Sequence, residues 1–268
     1  MAEISAKLVN ELRAKTGLGM MECKKALTEA AGDLNTAVDN LRKKGVKASL
    51  TERVATEGRI LGAVSADGKT AAIVEVNCNT DFTGKSEPVT ALGVKAAQAL
   101  VANPNADAAQ AVVAEATQVS QQTGENVRIG RTAAVISASG KSGLYIYGIT
   151  GKIGVVLSFT GAPSDELITD IGGHIAFAKP LALDRNAIDP TLVAKEREIA
   201  VEQAKATGKP QNIAEKIAEG KLNSFFKEQT LLDQDFFNAS KFKGTITQLL
   251  KEKGVTLDKY VRLEVGQQ

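Results

Sequence analysis

The sequence of 268 residues is 43% hydrophobic, 24% charged and only 4% aromatic, which predicts a globular protein of two or three compact units. A net charge of +2 argues against a protein that binds nucleic acid through a concentrated basic face. No apolar run approaches the roughly 18 residues of a membrane span, and the first residues do not resemble a signal peptide, so we expect a cytoplasmic protein without direct membrane or nucleic-acid contacts.

Apolar stripes at helical spacing predict three short helices within the first 45 residues. Ser5 is the expected N-cap of the first helix, Gly32 ends the second, and Asp33 caps the third. This order resembles a ubiquitin-associated-type module. Because so small a unit has a thin core, Met20 and Met21 either fill that core or lie exposed to a partner.

An antiparallel hairpin is predicted for residues 58–65 and 70–76, joined by an Asp-Gly turn. Its second strand leads into Thr80, Asp81 and Phe82. Burying a phenylalanine ring contributes about 1.5–3 kcal/mol, so an exposed Phe gains from being covered. Either Phe82 folds back onto its own core while Thr80 or Asp81 caps the next helix, or this tip contacts a partner.

The remaining pattern suggests that the hairpin, loop and helix occur twice. Helices are predicted from Ser86 to the Asn103-Pro104 pair and from Ser164 to Pro180, with an alanine-rich helix at 106–122. Further strands are predicted at 127–137, 144–149, 151–159 and 260–265, and a last helix at 245–253. Two related subdomains follow from this likeness.

We therefore predict an α+β fold. Its parts are a three-helix module with a linker at 1–54, a first core subdomain at 55–140 and a second at 141–268, each core subdomain with an antiparallel sheet. A polar helical hairpin at about 190–221 lacks a wide apolar face, so it either projects into solvent, which we expect, or meets another surface.

The sequence offers little catalytic equipment. His174 is the one histidine, and no second His or Cys lies near it, which favours a structural role over a metal or acid-base site. Cys23 and Cys78 are far apart and predict reduced thiols. The Gly-Lys-Ser run at 140–142 lacks the first glycine of a phosphate-binding loop. We expect no catalytic residue, metal or cofactor.

Two long motifs identify a family. Leu12-Arg-Ala-Lys-Thr-Gly-Leu-Gly-Met-Met-Glu-Cys-Lys-Lys-Ala-Leu27 resembles the N-terminal signature of bacterial elongation factor Ts, and Glu75-Val-Asn-Cys-Asn-Thr-Asp-Phe82 resembles its second. The resemblance continues in family order through 124–126, 174–176, 208–210, 215–220 and 263–266, and so covers nearly the whole chain.

The resemblance implies a guanine-nucleotide exchange factor and not an enzyme. Its partner is elongation factor Tu, the GTPase that carries aminoacyl-tRNA, in the GDP-bound and nucleotide-free states. Asp81 and Phe82, presented with Thr80 at the tip, would wedge into the GTPase domain and disturb its magnesium site and phosphate-binding loop, so that GDP leaves.

Further contacts are also implied by the family. Arg13, Met20 and Met21 would lie against a helix of the GTPase domain. The second core subdomain, with His174 as a candidate contact, would face another part of elongation factor Tu. Whether the chain acts alone, as a homodimer or in a 2:2 complex with elongation factor Tu stays open at this point. It also stays open whether the hairpin at about 190–221 meets elongation factor Tu, a second copy of the chain or neither.

The tip also departs from the family. Residues 83–88 stand where members usually continue directly into a helix, and Gly84 and Pro88 predict a later helix start and a more flexible tip. Asn79 replaces the usual Gln or Glu. A protein-binding adaptor that does not promote exchange is the alternative, and a nucleotide-hydrolysing enzyme is disfavoured by the missing phosphate loop.

Overall fold

The computed structural model describes residues 4–16, 18–43, 55–206 and 210–267. Within these ranges the chain is an α+β protein with two three-stranded antiparallel sheets, as the sequence predicts. The helices are α1 Ala6–Thr16, α2 Met20–Glu29, α3 Leu34–Lys43, α4 Asp81–Gly84, α5 Glu87–Ala102, α6 Ala108–Ala111, α7 Val113–Thr123, α8 Asp165–Ala178, α9 Pro190–Lys205, α10 Gln211–Gln229 and α11 Ile246–Glu252. The strands are β1 Glu57–Val64, β2 Thr70–Cys78, β3 Arg128–Ile136, β4 Gly140–Ile146, β5 Ile153–Thr160 and β6 Thr256–Glu264.

The first three helices pack around a small core of their own. The predicted caps are confirmed: the Ser5 hydroxyl accepts a hydrogen bond from the Leu8 amide, and the Asp33 carboxylate accepts one from the Thr36 amide at 2.6 Å. Leu12 and Leu27 are fully buried. The predicted linker and the boundary at residue 54 lie almost entirely outside the described residues.

The first sheet has the order β1-β2-β3, and the predicted hairpin forms its first two strands. The central strand β2 is almost entirely buried because α5 covers one of its faces and the second sheet covers the other. Gly93 lets α5 lie close to β1, since an added Cβ would stand 2.2 Å from Leu61 Cδ1. Strand β2 of this sheet ends at Cys78 and leads directly into the predicted tip.

The second sheet, β4-β5-β6, repeats the arrangement of the first. In both sheets the second strand lies in the centre, a helix follows it, and the last strand pairs with it from the other side. A shared apolar cluster joins the two sheets, with Ile60, Ile73 and Val135 from one and Val156 and Leu263 from the other. The subdomain boundaries themselves stay a prediction.

Several elements differ from the predicted spans. The alanine-rich helix is broken at the buried Val112, whose φ of −127° and ψ of 21° are not helical, into α6 and α7. Strand β4 begins at Gly140 and ends at Ile146, and β6 begins earlier than predicted, at Thr256. These shifts follow the pairing with β5, because a strand extends as far as its neighbour offers partners.

Helices α9 and α10 form the predicted hairpin, and α10 continues to Gln229, beyond the expected end. The seam between them is narrow and made mostly of small side chains: the alanines Ala200, Ala204, Ala214 and Ala218 and the larger Leu222 are buried. The glycine and lysine of the predicted turn fall among residues 207–209, outside the described part. No helix in the described ranges is long and apolar enough to cross a membrane.

Candidate functional site

The tip after β2 is a short, well-capped helical turn. Thr80 has extended backbone angles, and its Oγ1 accepts a hydrogen bond from the Thr83 amide at 3.3 Å, which starts α4. Phe82 lies on this turn with 84% of its surface exposed. Capping by Thr80 is therefore confirmed, whereas the alternative in which Phe82 folds back onto its own core is wrong. Helix α4 turns the ring outward.

The departure at residues 83–88 gives this turn its shape. Helix α5 begins late, at Glu87, with Pro88 in its first turn, as predicted. Gly84 is buried, and a Cβ there would lie 3.3 Å from Cys78 Sγ and 3.5 Å from the backbone of Gly58, so a glycine allows α4 to pack closely on the hairpin. The extra residues thus form a turn that is hydrogen-bonded at both ends, while the greater flexibility expected of the tip stays a prediction.

Asp81 lies beside Phe82 and carries a negative charge at neutral pH. Its carboxylate pairs with Lys85 Nζ at 2.7 Å, and that hydrogen bond holds the pKa of Asp81 below its ordinary value. Both side chains are well exposed, so the pair adds little to stability and is readily exchanged for another partner. The tip therefore presents an apolar ring and an accessible carboxylate next to each other.

Glu125, which sequence reasoning did not single out, forms hydrogen bonds that hold this tip. Glu125 follows α7, and its Oε2 accepts hydrogen bonds from the amides of Asn79 at 2.9 Å and Thr80 at 3.0 Å, while Oε1 accepts one from Thr80 Oγ1 at 2.6 Å. Burial raises the pKa of Glu125, but bonds from the hydroxyls of Thr80 and Thr83 and from the two amides outweigh it and lower the pKa. The only sequence signal was its place in the resemblance at 124–126.

The N-terminal candidates are also accessible. Met20 and Met21, at the start of α2, are 51% and 75% exposed, which excludes the interpretation that both are core filler. The Gly19 amide at the N-terminus of α2 donates to Glu22 Oε2 at 3.3 Å and so fixes the start of the helix. Arg13 lies on α1 and is half-buried. The structure thus presents two adjacent methionines to solvent.

His174 lies inside the second half, in α8, with 3% of its surface exposed. The Phe237 amide donates to its Nδ1 at 3.2 Å, so Nε2 carries the proton and donates to Gln234 Oε1 at 2.8 Å. Burial lowers the pKa of His174, and the bond to Gln234 opposes this shift. The imidazole is therefore neutral and structural, and its ring lies against Phe236 and Phe237.

Two phenylalanines close to His174 in sequence or structure are exposed, although His174 itself is buried. Phe237 and Phe177 are each more than half exposed, and Phe177 makes an edge-to-face contact with Tyr147 at 5.1 Å between ring centroids. Sequence reasoning missed both phenylalanines, although the Phe236-Phe237 pair in a chain so poor in aromatics was a usable signal. We call Tyr147, Phe177 and Phe237 the aromatic surface.

The chemistry available to these groups is recognition. Burial raises the pKa of the Cys78 thiol to about 11, so it is a protonated core residue and not a nucleophile. Among the described residues, no group of three or more His, Cys, Asp or Glu side chains could hold a metal ion. Exposed rings, methionines and a carboxylate are suited to binding another protein.

These exposed groups suit recognition of another protein, and comparison with known proteins places the chain among translation elongation factors. Residues 79–267 match the family model described as "Elongation factor TS". The curated elongation factor Ts of Methylococcus capsulatus is 40% identical, with 98% of this chain and 92% of that protein covered. Those of Thiobacillus denitrificans and Dechloromonas aromatica are 42% and 43% identical, with 100% of this chain and 93% and 92% of the relatives covered. The chain belongs to the elongation factor Ts family.

Proposed function

We propose that this chain is a cytoplasmic guanine-nucleotide exchange factor for elongation factor Tu, and that it makes and breaks no covalent bonds. The observation that carries the proposal is the exposed Phe82 ring beside Asp81 on an anchored turn. Burying this ring in a pocket on a partner would contribute about 1.5–3 kcal/mol, which the free chain leaves unused while Phe82 is held in water. Such a side chain is accounted for by a pocket on a partner that accepts it.

Exchange by insertion is a matter of coupled binding energies. Every tenfold loss of GDP affinity requires about 1.4 kcal/mol of preferential binding to the nucleotide-free GTPase. Burying the Phe82 ring contributes about 1.5–3 kcal/mol, which corresponds to roughly 10- to 150-fold in nucleotide affinity. The Asp81 carboxylate adds repulsion toward phosphate and attraction toward magnesium. The tip therefore supplies energies of the size that exchange needs.

The other exposed groups would attach the factor while the tip acts. We assign Met20 and Met21, with Arg13 nearby on α1, to one contact with the GTPase domain. We assign the aromatic surface to a contact with another part of elongation factor Tu. His174 would act there indirectly, because it is buried and holds the backbone that presents Phe237.

The factor would bind both the GDP-bound and the nucleotide-free partner, since it must meet the first and leave the second. Reciprocity of coupling requires GDP to weaken its binding by the same factor by which it weakens GDP binding. A homodimer or a 2:2 complex with elongation factor Tu is compatible with this mechanism, because each tip serves one GTPase domain.

The test is stopped-flow release of a fluorescent GDP analogue from the cognate elongation factor Tu, with and without this chain. We expect acceleration by the natural chain and its loss in the Asp81→Ala, Phe82→Ala double variant. Ile136→Ala is the matched control, because Ile136 is also an exposed apolar residue but lies at the opposite end of the first sheet from the tip. Complex formation without faster release would refute the exchange function and favour the adaptor.

A further inference from the structure

We propose that Glu125 is a positioning residue that orients the Phe82 tip for insertion, an inference that rests on the proposed exchange function. It contacts no partner itself in this account. Its carboxylate joins the loop after α7 to the start of the tip through three hydrogen bonds, to residues 45 and 46 positions earlier in the chain.

The junction between these two loops is reciprocal. Both Glu125 oxygens accept bonds from the tip, and in return the Asn79 side-chain oxygen accepts a bond from the Asn126 amide at 2.9 Å. A carboxylate that accepts several N–H and O–H groups is well suited to fixing a turn, because its bonds are charge-assisted and converge on one point. The tip is thereby attached at Asn79 and Thr80, immediately before Asp81 and Phe82.

The Thr80 hydroxyl transmits this attachment to the helical turn. It has a single hydrogen, which it donates to Glu125, so its lone pairs face the Thr83 amide that it caps. The carboxylate thus fixes the rotamer that caps α4. Without an acceptor at position 125 the hydroxyl is free to rotate, and the cap that begins the Phe82 turn loses its orientation.

The anchor itself is firmly held. Gly124 caps the C-terminus of α7 in the left-handed region, with φ of 71°, and turns the chain so that Glu125 points toward the tip. On the other side of Glu125, Val127 is fixed to helix α7: the Ser120 Oγ accepts a hydrogen bond from the Val127 amide at 3.0 Å and donates one to the Val127 carbonyl at 3.1 Å. The carboxylate therefore extends from a loop fastened to the body of the first sheet, since Arg128 begins β3.

A glutamine at this position cannot reproduce the arrangement. Its amide has one acceptor oxygen in place of the two carboxylate oxygens that accept from the Asn79 and Thr80 amides and the Thr80 and Thr83 hydroxyls. Its NH₂ group would face an N–H or O–H donor. Because Glu125 and the tip are partly exposed, water would satisfy the freed amides, and global stability would change little. The expected consequence is a tip that still exists but samples orientations unable to enter the partner.

The experiment compares full-length Glu125→Gln with Glu115→Gln, a control on exposed α7 surface whose carboxylate pairs only with Lys95 among the described residues. Hydrogen exchange of the Asn79, Thr80 and Thr83 amides is measured in the free chain, and GDP release is measured over a range of factor concentrations. For Glu125→Gln we expect a faster exchange of these three amides, an unchanged thermal midpoint, and a maximal release rate lower by about 10- to 100-fold.

The outcomes separate positioning from the wider function. The same half-saturating concentration with a lower maximal rate supports positioning, because the attachment surfaces are intact while insertion fails. Normal maximal release despite unprotected tip amides would overturn it, as would full protection of those amides in Glu125→Gln. If the natural chain accelerates no release at all, the exchange function fails, and positioning for insertion falls with it even where the amides show that Glu125 holds the tip.

Discussion

His174 allows a quantitative prediction because it is the single histidine of the chain and is held neutral. Its Nδ1 must accept the Phe237 amide, so a second proton would remove that bond and place a charge in an apolar site. The folded state thus resists protonation at pH values where the unfolded chain, with an ordinary histidine pKa of 6.5, takes it up. The stability that the neutral His174 contributes is fully present above pH 6.5 and is lost progressively as the pH falls below that value.

The size of the loss follows from linkage. At pH 5.5, one unit below the unfolded pKa, a folded state that excludes the proton loses about 1.4 kcal/mol relative to neutral pH, and this is the upper limit for one group. For a chain of this length such a loss lowers Tm by about 3–5 °C. Below the lowered pKa of the folded imidazole, the loss of stability stops growing and stays at its full size.

The assay is urea unfolding at pH 7.5, 6.5 and 5.5 for the natural chain and for His174→Gln, which cannot titrate. We expect the difference in unfolding free energy between the two proteins to shift by about 1.4 kcal/mol across this range, whatever the absolute cost of the substitution. A single imidazole resonance also reports the pKa directly by NMR. A folded-state pKa near 6.5, or parallel pH profiles, would refute the reasoning.

Two further predictions concern the frame that carries the tip. Arg131→Ala leaves Glu75 buried without its 2.7 Å ion pair. Because Arg131 is 38% exposed, we expect the free energy of unfolding to fall by about 2 kcal/mol, less than for a fully buried pair. Arg128→Ala, at an exposed position of the same strand, should leave it unchanged. Gly93→Ala places a methyl 2.2 Å from a leucine of β1 and should cost about 1–2 kcal/mol, whereas Gly220→Ala, with nothing within 4 Å, should gain about 0.5–1 kcal/mol by helix propensity. Equal effects within either pair, measured by urea unfolding, would contradict the packing described.

Local signals predicted what depends on local chemistry. The caps at Ser5 and Asp33 and the hairpin turn at Gly68 lie where the sequence indicates, because each rests on a side chain or backbone angle within a few residues. The family motifs also marked the tip. These features need no knowledge of the rest of the fold.

The site's geometry depends on distant parts of the chain, which periodicity does not report. The exposure of Phe82 follows from the extra turn α4, and Glu125 reaches the tip from 45 residues away. The sequence left open whether His174 is a surface or a partly buried structural residue, because the segment of Phe236 and Phe237 that covers it lies about 60 residues later. Tertiary contacts of this kind outweigh local pattern.

The repeated sheet topology has a consequence for how the chain is made. In the first sheet about 50 residues separate the central strand from its last partner, and in the second about 95 do, yet a near-doubling of such a loop adds only about 0.6 kcal/mol of closure entropy. The long excursion through α9 and α10 therefore adds little to the free-energy cost of forming the second sheet.

Synthesis from the N-terminus completes β1, β2 and β3, with the turn of Phe82, well before β6 exists. During that interval β5, a nearly fully buried strand in the finished molecule, has an unpaired edge. Unpaired edges of this kind invite pairing with other chains. The nascent protein thus forms the turn of Phe82 early, whereas one edge of β5 stays unpaired until β6 has been made.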